Sequence, residues 1–189
     1  MTKEKTLVLI KPDAVHRGIS GKIISRFEDT GLKIAGIKMV WASDKLANDH
    51  YHLEKEWVEK LFQKNKETYE KQGKEMEYKT PDQLSKAIKT GLVTFLKEGP
   101  VIAIVLEGPH AIELIRKMIG HTEPRQALPG TIRGDFISVE SYSVADSKKR
   151  VIKNLIHASD SKESAEREIA LWFKQEEIHA YSTQLERSL

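Results

Sequence analysis

The chain has 189 residues, 39% hydrophobic and 31% charged, with no cysteine, which allows one domain with a core that holds without staples and excludes disulfide frameworks, thiolate zinc sites and cysteine nucleophiles. Lys plus Arg is 31 against 28 Asp plus Glu, a net charge of +3, and these charges are spread along the chain, so no specific nucleic-acid surface is expected. No apolar run is long enough to span a membrane, and Leu7–Ile10 is too short for a signal-peptide core, so a cytoplasmic protein is expected.

In chain order, Thr6–Lys11 is a short apolar run stopped by Pro12, and it reads as a buried strand. Ser20–Thr30 carries Ile23, Ile24 and Phe27 at helical spacing, with Gly31 as a stop. Residues 33–42 alternate through Ala35, Ile37, Met39 and Trp41, the pattern of a strand. From Ser43 to about Lys97 the pattern is helical and heavily charged, broken at Gly73 and at Thr80-Pro81-Asp82. Val101–Leu106 is the strongest strand signal. Gly108-Pro109 opens a helix with Ile112, Ile115 and Ile119 on its apolar face, and Gly120 ends it. Residues 121–134 hold Pro124, Pro129, Gly130 and Gly134 and read as a long irregular loop. Phe136–Tyr142 reads as the fourth strand. A last helix covers about 163–173, with Asp160-x-x-Glu163 as its capping signal. Two β-α-β halves of this kind predict an α+β fold: a ferredoxin-like βαββαβ sandwich with a four-stranded antiparallel sheet.

Several familiar chemistries are missing. Gly18-Ile-Ser-Gly21-Lys22 fails the spacing of a phosphate loop, and no G-x-G-x-x-G opens a helix. His50-x-His52 lacks the i, i+4 spacing of a helical zinc pair, and no protein-held metal is expected. What remains is a set of cations at element ends and in loops: Lys11 after the first strand, Arg116 near a helix C-terminus, and Arg125 and Arg133 with Thr122 in the Pro/Gly-rich loop. Each taken alone is more often a solvated surface charge. Converging from separate elements, they suit a polyanion such as a triphosphate. A second cluster is Asn154-Leu-Ile-His157-Ala-Ser159-Asp160-Ser161. A neutral imidazole at pH 7 serves as nucleophile or base, and Glu168 could orient the ring through its second nitrogen.

Four segments resemble the nucleoside diphosphate kinase family, in family order and across most of residues 5–180. They are Thr6–Gly18 with Lys11-Pro12-Asp13, Gly99–Gly108, Pro129-Gly-Thr-Ile-Arg133-Gly-Asp-Phe136, and Asn154–Ser161 continued through Glu168-Ile-Ala-Leu-Trp-Phe173. The resemblance implies γ-phosphoryl transfer from a nucleoside triphosphate, typically ATP, to a nucleoside diphosphate. It implies a ping-pong reaction through a phosphohistidine at His157, with Mg²⁺ carried on the nucleotide. By motif, Lys11 contacts phosphate and the ribose region, and Tyr51 packs beside His157. Arg116, Thr122 and Arg133 bind the distal phosphates, and Asn154 bonds the sugar. Glu168 holds the imidazole, with Ser159 assisting. The resemblance also implies a homo-oligomer, tetramer or hexamer. The other reading is a non-catalytic nucleotide-binding or nucleic-acid-binding module on the same fold. The chain is expected to form one domain over residues 1–189 with two insertions against the family pattern. One, at about 59–88, replaces the stretch bearing the base-stacking aromatic. The other, at about 138–152, is basic towards its end and could lengthen the fourth strand or cover the cleft.

Overall fold

The computed structural model describes residues 3–71, 73, 75–184 and 187. Its sheet grows from two apolar strands, β1 (Glu4–Ile10) and β3 (Val101–Gly108), each flanked on both sides by another strand. Successive side chains of a strand point to opposite faces. In β1, Val8 and Ile10 enter one core, and Leu7 and Leu9 enter a second. In β3, Ile102, Ile104 and Leu106 join the first core, and Val101, Ala103 and Val105 the second. A strand buried on both faces reads as a continuous apolar run, which explains the strength of those two signals.

The edges are β2 (Lys33–Val40) and β4 (Ile156–Ala158), giving the order β2-β3-β1-β4 with every pair antiparallel. This is the interleaved βαββαβ arrangement expected from the sequence. Helices cover both faces. The first face is packed by α1 (Pro12–His16), α2 (Ser20–Glu28), α6 (Ala111–Ile119) and α7 (Ile132–Ile137), through Ala14, Ile23, Phe27, Ile115, Ile119 and Ile132. The second is packed by α3 (Asp44–His50), α5 (Pro81–Leu96) and α9 (Lys162–Trp172), through Ala47, Leu96, Ile169 and Trp172. Each fully buried Leu, Ile or Phe contributes about 1.5–3 kcal/mol. The link from β2 to β3 holds α3, α4 (Lys55–Lys71) and α5 instead of a tight turn, and α8 (Tyr142–Ser147) lies before β4.

Three expectations need correction. Phe136–Tyr142 is not the fourth strand: its first residues end α7, its last opens α8, and Val139 between them is 85% exposed. The side chains of Thr131 and Ser141 accept the N–H of Gly134 and Val144, each capping a short helix, and these caps override the β-prone composition. The fourth strand is β4, so residues 138–152 do not extend it. The sixth helix begins at Ala111 instead of Gly108-Pro109, after His110 in left-handed backbone (φ 56°). The last helix is capped by Ser161, one residue beyond Asp160.

Candidate active site

β4 pairs with the C-terminal half of β1, placing His157 opposite Leu9 and therefore on the face covered by α3 and α9. From α9, the Glu168 carboxylate Oε2 stands 2.8 Å from His157 Nε2. The same oxygen accepts from the Ser159 hydroxyl at 2.7 Å. Ser159 is itself fixed, because its Oγ accepts the Leu7 N–H at 3.2 Å. Glu168 is 4% exposed, and Arg167 from its own helix approaches its other oxygen at 3.4 Å. A buried carboxylate orients an imidazole by accepting its N–H. With Nε2–H donating to Glu168, the lone pair of His157 resides on Nδ1.

The cations gather beside this ring. Pro12 starts α1 immediately after β1, so Lys11 sits at the junction. Lys11 is buried and donates to Asn154 Oδ1 at 2.8 Å. Asn154 in turn donates to the Thr122 carbonyl at 3.0 Å. Arg133 is buried and spreads its guanidinium over three carbonyls: Asn154 at 3.1 Å, Gly120 at 2.8 Å and Ile156 at 2.6 Å. It thereby ties the loop after α6 to the chain leading into β4 and to the first residue of that strand. Arg116 and Thr122 form the exposed outer wall, with Arg116 3.5 Å from the Ala158 carbonyl. Burial, and then Arg133, push the Lys11 ammonium down to about 8, with Asp13 opposing. Burial and the neighbouring Arg116 bring Arg133 down to about 10. Burial with a cation beside each of these groups leaves a site short of negative charge.

Asp13, Phe95 and His50 carry no site role in the sequence reading. Asp13 Oδ2 accepts the Leu155 N–H at 3.0 Å, and its carboxyl is raised chiefly by burial. Phe95 is buried under two ammonium groups, Lys11 at 5.5 Å and Lys153 at 5.4 Å from its ring centre. His50 crosses His157 nearly at right angles, with ring centres 4.6 Å apart, and packs on Tyr51 at 4.8 Å. Among the described residues a ring contact to His157 comes from His50, and Tyr51 packs on His50 in turn. The Tyr51 hydroxyl is buried without a hydrogen-bond partner among the described residues, and burial raises its pKa, so it keeps its proton as a donor. His52, the other half of the histidine pair, is exposed and faces Glu54. The signal for His50 lay in its place at the end of α3, directly before Tyr51.

His50, His157 and Glu168 offer ligand atoms within 4.8 Å of one another. Spacing alone would let them hold a cation. The Trp172 Nε1–H donates to His50 Nδ1 at 3.2 Å, however, which puts the His50 proton on Nε2. His50 therefore presents a donor there, not a lone pair for a metal.

Of the two segments set apart by the sequence, residues 138–152 meet the loop that carries Thr122, whereas residues of 59–88 line a cavity of their own. Glu123, beside Thr122, accepts the Tyr142 N–H at 3.2 Å, and the Arg125 N–H donates to the Glu140 carbonyl at 2.9 Å. Arg150 closes on the Glu140 carboxylate with two bonds of 2.8 and 2.9 Å. Residues 138–152 thus brace the loop that carries Thr122. Val151 lies on α5 at Gly91, where a β-carbon would come within 2.6 Å of its Cγ1. Phe62 and Tyr69 line a separate cavity of about 290 Å³ with Met76 and Tyr78.

Comparison with known proteins agrees with this geometry. The family model for nucleoside diphosphate kinase matches residues 4–73 and 65–178. The chain is similar to the nucleoside diphosphate kinase of Pyrobaculum aerophilum, 45% identical over 182 residues, covering 94% of this chain and 99% of that one. It is also similar to that of Pyrococcus abyssi, 48% identical over 179 residues, covering 95% and 89%. Among solved structures, the NDP kinase from Pyrobaculum aerophilum superposes with a TM-score of 0.86 at 43% identity, covering 94% of this chain and 99% of that one. A transition-state mimic of nucleoside-diphosphate kinase from Borrelia burgdorferi, with bound vanadate and ADP, superposes with a TM-score of 0.80 at 38% identity, covering 98% and 96%. With the histidine held by its carboxylate, the cations drawn around it, and relatives matched almost from end to end, this chain belongs to the nucleoside diphosphate kinase family.

Proposed function

We propose that the enzyme transfers the γ-phosphoryl group between nucleotides in two half-reactions through a phosphohistidine on His157. The observation that carries this reading is the Glu168 bond to Nε2, which leaves Nδ1 as the nucleophilic nitrogen. In the first half-reaction the Nδ1 lone pair forms a bond to the γ-phosphorus. The bond from that phosphorus to the β–γ bridging oxygen breaks, and the nucleoside diphosphate departs with the electron pair. In the second, a terminal oxygen of another diphosphate attacks the phosphorus, and the N–P bond returns its electrons to Nδ1. Glu168 stabilises the positive charge that the ring gains while phosphorylated, and Ser159 keeps that carboxylate in place. The relative caught with vanadate and ADP supports the same transfer here.

Little covalent work falls to the protein beyond positioning and charge. Lys11 and Arg133 would meet the phosphates from the buried floor, and Arg116 and Thr122 from the outer wall. The Tyr51 hydroxyl would donate to the transferring group, and Asn154 would serve the sugar. Mg²⁺ enters on the nucleotide as part of the substrate. The whole chain would act as one domain, with 59–88 and 138–152 as insertions and the enzyme working in the cytoplasm, where these nucleotides are interconverted. Assembly into a homo-oligomer would use the exposed edge of β2.

Incubation with labelled ATP tests the mechanism. One histidine should take up label, stable in alkali and lost in acid, and a nucleoside diphosphate added afterwards should remove it. His157→Ala should lose transfer by about 10³-fold or more. Label uptake and transfer at the parent rate in that variant would refute a phosphohistidine at His157.

A further inference from the structure

We propose that His50 is a further catalytic residue: its Nε2–H donates a hydrogen bond to the phosphoryl group while that group is carried on His157. The proposal rests on the phosphohistidine reading above. Its grounds lie in the packing around His50. Trp172 Nε1–H can only donate, and it donates to His50 Nδ1 at 3.2 Å, so the His50 proton is held on Nε2. The ring is 3% exposed, and its Nε2 has no hydrogen-bond partner among the described residues. Buried polar groups without partners are few in native proteins, and they cluster where a ligand completes the site.

The neighbours of His50 narrow the choice of ligand. Its ring meets His157 edge to face at 4.6 Å, and one of its nitrogens lies within 4.8 Å of ligand atoms of both His157 and Glu168. Trp172 packs against it at 5.6 Å, and Tyr51 at 4.8 Å. The Tyr51 hydroxyl is likewise a buried donor without a partner among the described residues. His50 therefore offers an unpartnered donor beside the ring that is to carry the phosphoryl oxygens, and a second such donor, Tyr51, packs on His50 itself. Burial, His157, Lys11 and Arg167 all keep His50 neutral. It can therefore donate to phosphate without adding a charge that would repel the imidazolium formed at His157.

The donor is used only when phosphate sits on His157, so its loss should shift the phosphorylation equilibrium more than nucleotide affinity. The full-length parent, His50→Phe and His50→Gln are each equilibrated with Mg-ATP and Mg-ADP at a series of ratios. Phosphorus NMR gives the fraction phosphorylated on His157, and kcat, KM and melting temperature are measured alongside. Phe keeps a ring without the donor, and Gln places an amide N–H near the position of Nε2. His50→Phe should need an ATP/ADP ratio about ten- to a hundredfold higher for half-phosphorylation, with KM for ADP changed by less than about twofold. His50→Gln should recover most of that loss. A structural role alone would lower the melting temperature or raise KM and leave the ratio unmoved.

An unchanged ratio in folded His50→Phe overturns the proposal, and so does a His50→Gln as impaired as His50→Phe. Should His50→Phe fail to fold, Trp172→Phe decides, since it keeps His50 but frees its tautomer. A shift of about three- to tenfold supports the donor role, and a parent-like ratio overturns it. A parent protein that never carries phosphate on His157 would instead refute the reaction reading itself.

Discussion

Lys11 has a charge that burial opposes and the proposed transfer uses. Burial and Arg133 bring its pKa down from 10.5 to about 8, and Asp13 pulls the other way. For stability the sign is clear. Below pH 8 the ammonium is charged in both folded and unfolded chains, and the cost of burying it is full; the cost is relieved as pH rises from 8 towards 10.5. For catalysis the sign reverses, because the phosphates need the cation. The kcat/KM for ATP, which reports the free enzyme, should fall about tenfold per pH unit above pH 8. In kcat the break should move to higher pH, since bound phosphate favours the ammonium. Lys11→Arg should remove the basic limb, because guanidinium stays charged. A flat kcat/KM between pH 7 and 10 in the parent would contradict this assignment. The motif reading found Lys11 because a lysine at a strand end before proline is visible as text. His50 enters the sequence reading only as half of the His50-x-His52 pair, because only packing separates the buried His50 from the exposed His52 two residues away.

Between Asn154 and His157 the backbone makes a γ-turn with a positive φ. Leu155 has φ 65°, and the Ile156 N–H reaches back to the Asn154 carbonyl at 2.7 Å. This conformation is rare and costs about 1–3 kcal/mol for a residue other than glycine. The neighbours hold it: Leu155 donates to Asp13, its carbonyl accepts the Lys11 N–H at 2.8 Å, and its side chain is fully buried. The turn lets a three-residue strand present Asn154 and His157 to one cleft. Asp13→Ala would strand the Leu155 N–H, and thermal unfolding should register a loss of about 1–3 kcal/mol, with kcat reduced as the turn relaxes. Asp13→Asn should shift the basic limb of kcat/KM to lower pH, since Asp13 is the group that raises Lys11. A limb that stays put or moves upward would refute that coupling. The same turn explains the misplaced strand. Three residues give no alternation to read, whereas Phe136–Tyr142 is β-prone in composition yet spans the end of α7, a turn and the start of α8, because hydroxyl caps at Thr131 and Ser141 start a helix on each side of that turn. The long apolar runs of β1 and β3 were legible because they are buried on both faces.

At the scale of the whole molecule, helices cover both faces of the sheet, yet one edge remains apolar and open. β2 is the edge strand beyond β3; Ile37 and Met39 project from it, and Trp41 follows its last residue, 50%, 61% and 66% exposed. Exposed apolar residues along a strand edge are normally paired or covered, because the free N–H and C=O row invites another strand. The tail covers the strand elsewhere: the His179 N–H donates to Ala35, and Lys38 pairs with Glu177. A second copy of the chain related by a two-fold axis would bury the stripe against itself, so each substitution there is felt twice per interface. Met39→Glu with Trp41→Glu places four carboxylates in such an interface. Loss of four central apolar anchors, two from each copy, at about 2 kcal/mol each is enough to weaken association by roughly 10⁵-fold or more. Light scattering on the eluting protein should give the parent a mass that is a multiple of the 21.5 kDa chain and the double variant a smaller one. His157 lies in β4 at the opposite edge of the sheet, so the dissociated variant should still take up label from ATP. A parent that is monomeric at working concentration, or a double variant of unchanged mass, would show that this stripe is not the contact between copies.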